Sequence, residues 1–248
     1  MTRLIRAELL KLRTTQVWFW LLLAALATAA LSTIGPLASG DIENSADLAD
    51  LFSGAATSYL PVFVLGVLGV TTEFRHQTIT PTVLATPSRW ALVTAKMITY
   101  LLVGATYAAL CVLVQLAISV PWLSAKDIDV TLGSNNVPRA LVSVFTVVVL
   151  FGIVGIGVGA LVKNQIVAVS VGIIVIQVVN PILGAIPKVR AVFPYTPFGG
   201  LSALLNTGGR AADGFTLLPH WGGAVVLALW AFIPAAVGAA YSKNRDIT

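Results

Sequence analysis

Charge is what this sequence has least of. Only 10% of its 248 residues are Asp, Glu, Lys or Arg, against roughly 25% in a soluble domain. With 57% hydrophobic residues and a mean hydropathy of +0.92, the chain reads as one membrane domain covering residues 1–248. Cysteine is nearly absent too. Cys111 stands alone inside an apolar run, which excludes a disulfide framework and a cysteine metal site. The two histidines, His76 and His220, are isolated and far apart, so a structural or interfacial role is expected of each and no metal site. The net charge of +5 is spread along the flanks of apolar segments and gathers in no single patch. Nucleic acid is therefore not an expected partner, whereas membrane orientation accounts for the pattern.

What the chain does have is length of apolar run. A spanning helix needs about 20 residues, and six segments qualify: roughly 17–35, 55–73, 90–119, 138–161, 165–185 and 220–241. Their apolar residues are continuous, with no period of two, so a strand barrel is not expected. With both termini in the cytoplasm, ten basic residues fall inside (Arg3, Arg6, Lys11, Arg13, Arg75, Arg89, Lys96, Lys163, Lys243, Arg245) and five outside (Lys126, Arg139, Lys188, Arg190, Arg210). That bias follows the positive-inside rule and leaves residues 242–248 as a cytoplasmic tail. The rival reading of the first span as a cleaved signal is disfavoured, because some sixteen residues precede an apolar run that is long for a signal.

Residues 1–16 read as an amphipathic interfacial helix. Ile5, Leu9 and Leu12 share one face and Arg6 and Arg13 an adjacent one. Such a helix lies in the interface with its leucines in lipid and its arginines against anionic headgroups. Trp18 and Trp20 follow at the headgroup level.

The interior of the spans again lacks charge. No Asp, Glu, Lys or Arg falls clearly at a midplane, which argues against an ion-coupled carrier or an ion channel. The polar candidates are Gln115 in the third span and Gln177 and Asn180 in the fifth, each fit for a hydrogen bond between helices or for lining a pathway. Asn180 precedes Pro181, where the fifth helix is expected to break. Gly155 and Gly159 in "GIVGIGVGA" have the spacing of close helix packing. Residues 186–219, rich in Pro, Gly and aromatics, read as an outer segment that partly re-enters the membrane or hugs its face, with a short helix near 201–205.

One polar insert breaks the pattern: "TTEFRHQTITPTVLATPSR", residues 71–89. Thr80 and Pro81 are a helix start, Thr as cap and Pro at the first helical position. Pro87 disfavours helix at Thr86, and Ser88 caps the third span at Arg89. The punctuation implies a helix of one or two turns on the cytoplasmic side, offering Val83 and Leu84 to a partner between Arg75 and Arg89. An interfacial turn touching lipid is the alternative.

This stretch resembles the segment after the second span in type-2 ABC (ABC-2) transporter permeases, particularly actinobacterial-style ones. Glu73, Arg75, Thr78, Leu84, Pro87, Ser88, Arg89 and Lys96 match that pattern in order, with Gln77 where the family commonly has Gly. "RAELLKLRTT" is similar to the family's elbow helix, which places Arg6, Leu9 and Arg13 on it. The resemblance implies an all-α integral membrane protein of six transmembrane helices, with an N-terminal elbow helix, a short cytoplasmic coupling helix between spans 2 and 3, and a partly re-entrant outer segment. It implies a multi-pass permease subunit in the cytoplasmic membrane that pairs with a second permease subunit, homo- or heterodimeric, and docks an ABC ATPase on Glu73, Arg75, Thr78, Pro81, Val83, Leu84, Pro87 and Arg89. The chain has no GxxxxGK[ST] loop, so ATP and Mg are expected on the partner ATPase, with no cofactor and no catalysis on this chain. An amphipathic cargo, exported, is the expectation. A non-transporting scaffold or sensor of an ATPase, or a secondary carrier, are the alternatives.

Overall fold

The structure, a computed structural model, describes residues 1–40, 42, 48–76, 89–126, 128, 136–162, 164–179, 182–183, 186, 188, 190–205 and 217–243. All secondary structure among them is helical: α1 (Thr2–Thr14), α2 (Val17–Ser39), α3 (Leu48–Ser53), which runs through a 3₁₀ turn (Gly54–Ser58) into α4 (Tyr59–Arg75), α5 (Arg89–Ser124), α6 (Val137–Leu161), α7 (Gln165–Ile174), α8 (Pro197–Leu205) and α9 (His220–Lys243).

Five stretches are long and apolar enough to cross a membrane: Val17–Ser39, Leu48–Arg75, Trp90–Ser124, Val137–Leu161 and His220–Val237. The run expected as the fifth span, 165–185, is described as the shorter apolar helix Gln165–Val179, α7 continued by a π turn at Val175–Val179. At 1.5 Å per residue it covers about 22 Å, less than the roughly 30 Å of a hydrocarbon core. Asn180 and Pro181, where the break is expected, lie outside the described residues. The third span extends well past its expected end at 119, continuing as regular helix through Pro121 to Ser124.

α4 and α6 form the centre. Two thirds (67%) of the most apolar window of each is buried, against 17% for α2 and 28% for α5 and α9. The sequence of α6 explains its place, since "VSVFTVVVLFGIVGIGVGAL" is small or branched and apolar on every side, as a buried helix must be. Lipid tails are as apolar as a leucine side chain, so a membrane bundle is held by close packing and not by escape from water. Here the closeness is extreme. A Cβ on Gly66 would lie 2.0 Å from the Gly152 carbonyl oxygen, and one on Gly155 would lie 2.2 Å from the Phe63 carbonyl oxygen. The glycine stripe of α6 therefore packs within the chain, against α4. Phe63, Phe151, Val62, Val67 and Ile153 fill the seam around it, joined by Tyr59, whose ring meets that of Phe151 at 4.5 Å. A second apolar cluster closes one end of the bundle, where Leu37, Leu48, Leu51, Phe52, Leu123 and Val137 converge.

α9 runs parallel to α6, its Pro234 and Ala235 against Gly157. The segment before it contributes α8, whose Leu201, Ala203 and Leu204 are buried, and Tyr195, whose carbonyl accepts from Trp230 Nε1 at 2.9 Å. Residues 206–216 are outside the described set. Four buried span hydroxyls are spent on their own helices: Thr33, Thr71, Thr99 and Ser119 donate to the carbonyl four residues back at 2.8–2.9 Å, which is how a hydroxyl is tolerated in apolar surroundings.

Candidate functional site

α1 is the element from which the site is built. Thr14 and Thr15 hydroxyls donate to the carbonyls of Lys11 and Leu12, each at 2.9 Å, closing the C-terminal turn, where Lys11 and Arg13 also complement the helix dipole. Thr15 is extended (φ −98°, ψ 137°), so the chain bends once and α2 begins two residues later. The helix lies on α5 and the start of α2, and Tyr107 of α5 donates its hydroxyl to the Trp18 carbonyl.

The face of α1 expected to rest on lipid is in part turned to protein. Ile5, Leu9 and Leu12 are half-buried, Leu12 against the main core, while Leu10 is 64% exposed. The reason is Glu8, which sits on the inward stripe and is the one buried residue of the helix. Its two carboxylate oxygens accept from Lys96 Nζ of α5 at 2.6 Å and from Lys11 Nζ at 2.7 Å. Glu73, at the end of α4, accepts from the same two lysines, at 3.1 Å from Lys96 and 2.8 Å from Lys11. Two acids and two bases from three helices thus form a closed, neutral ring. Lys96 gives its third hydrogen bond to the Gly69 carbonyl at 3.0 Å, so all three ammonium hydrogens are used. The carbonyl is reachable because position 69 has no side chain: the Tyr100 hydroxyl occupies the space, 1.8 Å from where a Cβ would be.

Electrostatics favour the charged forms of the two ring members on α1. Burial pushes the Glu8 carboxyl up, but Lys96 and Lys11 outweigh it and leave the group below its ordinary value. Burial likewise pushes the Lys11 ammonium down, and Glu73 and Glu8 more than reverse this, so it titrates above its ordinary value. A depressed carboxyl contributes fully above its unfolded pKa and is lost as pH falls through the folded one. A raised ammonium contributes fully below its unfolded pKa and is lost as pH rises. The contribution of Glu8 and Lys11 to thermal stability is therefore expected to be flat between the ordinary values, 4.5 for the carboxyl and 10.5 for the ammonium, and to decline outside them. Melting temperatures of wild type and Glu8→Gln, compared across that range, check it: their difference should shrink only at the extremes.

Around this ring stand the other candidates. Arg75, in the last turn of α4, reaches Gln165 at the start of α7 at 3.5 Å. The start of α7 is fixed by Asn164, whose side chain accepts from the N–H groups of Ile166 and Val167. α4 ends at Arg75 and α5 begins at Arg89, so the two helices that carry Glu73 and Lys96 frame residues 77–88. Thr78, Pro81, Val83, Leu84 and Pro87 lie outside the described residues. Arg6 and Arg13 are exposed and take no part in the ring, while Leu9 is half-buried beside it. Gln115 is far from it, 19 residues or about 28 Å further along α5. Fully buried, it donates through Nε2 to the Leu51 carbonyl at 3.0 Å. Gln177, in the π turn, accepts from the Tyr59 hydroxyl at 2.8 Å. Both amides tie helices together.

Glu8 and Lys11 are the members that sequence reasoning missed, having entered it only as flanking charges. The available signal was position: Glu8 lies with Ile5, Leu9 and Leu12 on one stripe, a lone acid where the helix is otherwise apolar.

The stretch from α1 to the end of α7 also stands out by comparison. Residues 4–183 match the family model described as ABC-2 family transporter protein, a match that contains the whole ring and the segment it frames. No curated protein matches the chain.

Proposed function

This multi-pass membrane chain belongs to the ABC-2 family of transporter proteins, and on that premise we propose that it is the permease subunit of an ATP-driven export complex. A separate ABC ATPase subunit, carrying ATP and Mg, docks on residues 73–89. A second permease subunit completes the pathway, and both termini face the cytoplasm.

The observation that carries this reading is the charge ring. Among the described residues, those that flank 77–88, at the end of α4 and the start of α5, are the ones through which a partner pressing on that segment acts. Both flanks are bonded through Glu73 and Lys96 to Glu8 and Lys11 of α1, and α1 leads by a single bend into α2. Displacement at the docking segment therefore reaches the first span without crossing the core. Val83 and Leu84 supply the apolar contact with the ATPase, with Thr78, Pro81 and Pro87 shaping the segment and Arg75 and Arg89 at its ends. The apolar spans, with most of their hydroxyls bonded within their own helices, suit an amphipathic cargo.

The test is a reconstituted complex. The chain should co-purify with an ATPase subunit encoded beside it and show no transport alone. Leu84→Ala should lower transport about tenfold or more, the scale of losing an interface anchor, with the amount of folded permease unchanged. Full transport by the permease alone in liposomes would refute the reading. Stable co-purification with no cargo moved under any condition would favour the scaffold role instead.

A further inference from the structure

We propose that the bend between α1 and α2 is a binding site for the headgroup of an anionic phospholipid. An open cavity of about 360 Å³ lies there, lined by Arg13, Thr15, Gln16, Trp18, Phe19 and Trp20. No acidic side chain lines it.

Its charge is a consequence of the ring. Glu8 is the only acid on α1, and it is turned inward to Lys96 and Lys11. Lys11 is committed there as well. The charges left on the outer surface of α1 are Arg3, Arg6 and Arg13, which have no ion-pair partner among the described residues. Arg13 is the one of these at the cavity. A guanidinium offers a planar fork of donors that fits two phosphate oxygens at once, and the Gln16 amide adds a neutral donor beside it. The remaining wall is aromatic. Phe19 is 46% and Trp20 64% exposed, as rings at a headgroup level are, and Leu10 stands equally exposed on the preceding helix.

The chemistry selects among phosphates. A zwitterionic phosphatidylcholine brings its own cation and gains little from an unpaired arginine. Free phosphate carries no glycerol and acyl chains to lie on Trp20 and Phe19. An anionic phospholipid such as phosphatidylglycerol uses both halves of the site. This assignment does not depend on what the protein transports.

The experiment is native mass spectrometry of the full chain in mild detergent, titrated with phosphatidylglycerol or with phosphatidylcholine. Phosphatidylglycerol should bind more tightly. Arg13→Gln should weaken it about fivefold, the worth of one basic residue near an anionic lipid, while Arg13→Lys, which keeps the charge and loses the fork, should weaken it less than Arg13→Gln does. Arg3→Gln, about 15 Å away along α1, should leave it within about twofold. Millimolar inorganic phosphate should fail to displace the lipid. Equal binding of the two lipids, no change in Arg13→Gln, an equal loss in Arg3→Gln, or displacement by phosphate would each overturn the proposal. Because Arg13 is exposed, the variant should fold as wild type does.

Discussion

Replacing Gly66 with alanine is expected to lower the melting temperature and the monodisperse yield of the protein markedly. The added methyl carbon would fall 2.0 Å from the carbonyl oxygen of Gly152 and 3.1 Å from the backbone nitrogen of Ile156. Both are backbone atoms of α6, so no side-chain rotation can make room. α4 and α6 must move apart along a seam where a Cβ on Gly155 would lie 2.2 Å from the Phe63 carbonyl oxygen and one on Gly159 2.8 Å from that of Val67. Dispersion falls steeply with separation, and lipid supplies no force that pushes two apolar helices back together. Overpacking a tight core costs about 1–3 kcal/mol and sometimes more. The upper part of that range is expected here, against a total stability of order 5–15 kcal/mol. Size-exclusion yield and melting temperature in detergent measure it. Gly35→Ala is the control, since a Cβ there meets nothing within 4 Å. It should be close to neutral, the gain from alanine as the better helix former being offset by the restriction on a residue that precedes Pro36. A Gly66→Ala protein as stable and monodisperse as wild type would show that the seam is looser than its geometry states.

That seam shows where sequence reasoning stops. Gly155 and Gly159 announce a close contact, because spacing four apart puts both on one face. They do not announce the partner, since a face says nothing about what covers it. Membrane class, the amphipathic first helix and the start of the third span at Arg89 were legible for the same reason: composition, periodicity and capping act over a few residues. The break expected in the fifth apolar run falls at Asn180 and Pro181, outside the described residues. Least legible was the charge ring. Its members stand 62 and 88 residues apart in Lys11–Glu73 and Lys96–Glu8, and each charge read singly is adequately explained by orientation. Lys96 entered the sequence reading only as an orientation charge and as one position in a family pattern. Only the fold shows that it shares two carboxylates with α1.

Lys96→Met is expected to lower stability by about 3 kcal/mol, the scale of removing one partner from a buried pair, and to abolish coupling between the ATPase and transport. Methionine roughly preserves the volume, so the loss is of charge. Lys96 and Glu8 side chains are only 12% and 10% exposed, and Glu73 is 16% exposed. Without Lys96, two sheltered carboxylates depend on Lys11 alone, itself 44% exposed, and the Gly69 carbonyl loses its side-chain donor. Glu8→Gln removes the opposite charge. In the double variant Glu8→Gln/Lys96→Met the uncompensated carboxylate is gone, so the combined loss of stability should fall short of the sum by about 1–3 kcal/mol, the range of directly bonded pairs. This double variant separates two roles for the ring. If the ring only fastens α1, restoring stability restores transport. If it transmits motion from residues 77–88 to the first span, the double variant should fold, bind the ATPase and still fail to transport, because the rigid link is absent even though the strain is relieved. The second outcome is the expected one. Recovery of transport in step with melting temperature would reduce the ring to a structural fastening and move the coupling path elsewhere, the contact between Arg75 and Gln165 being the next place to cut.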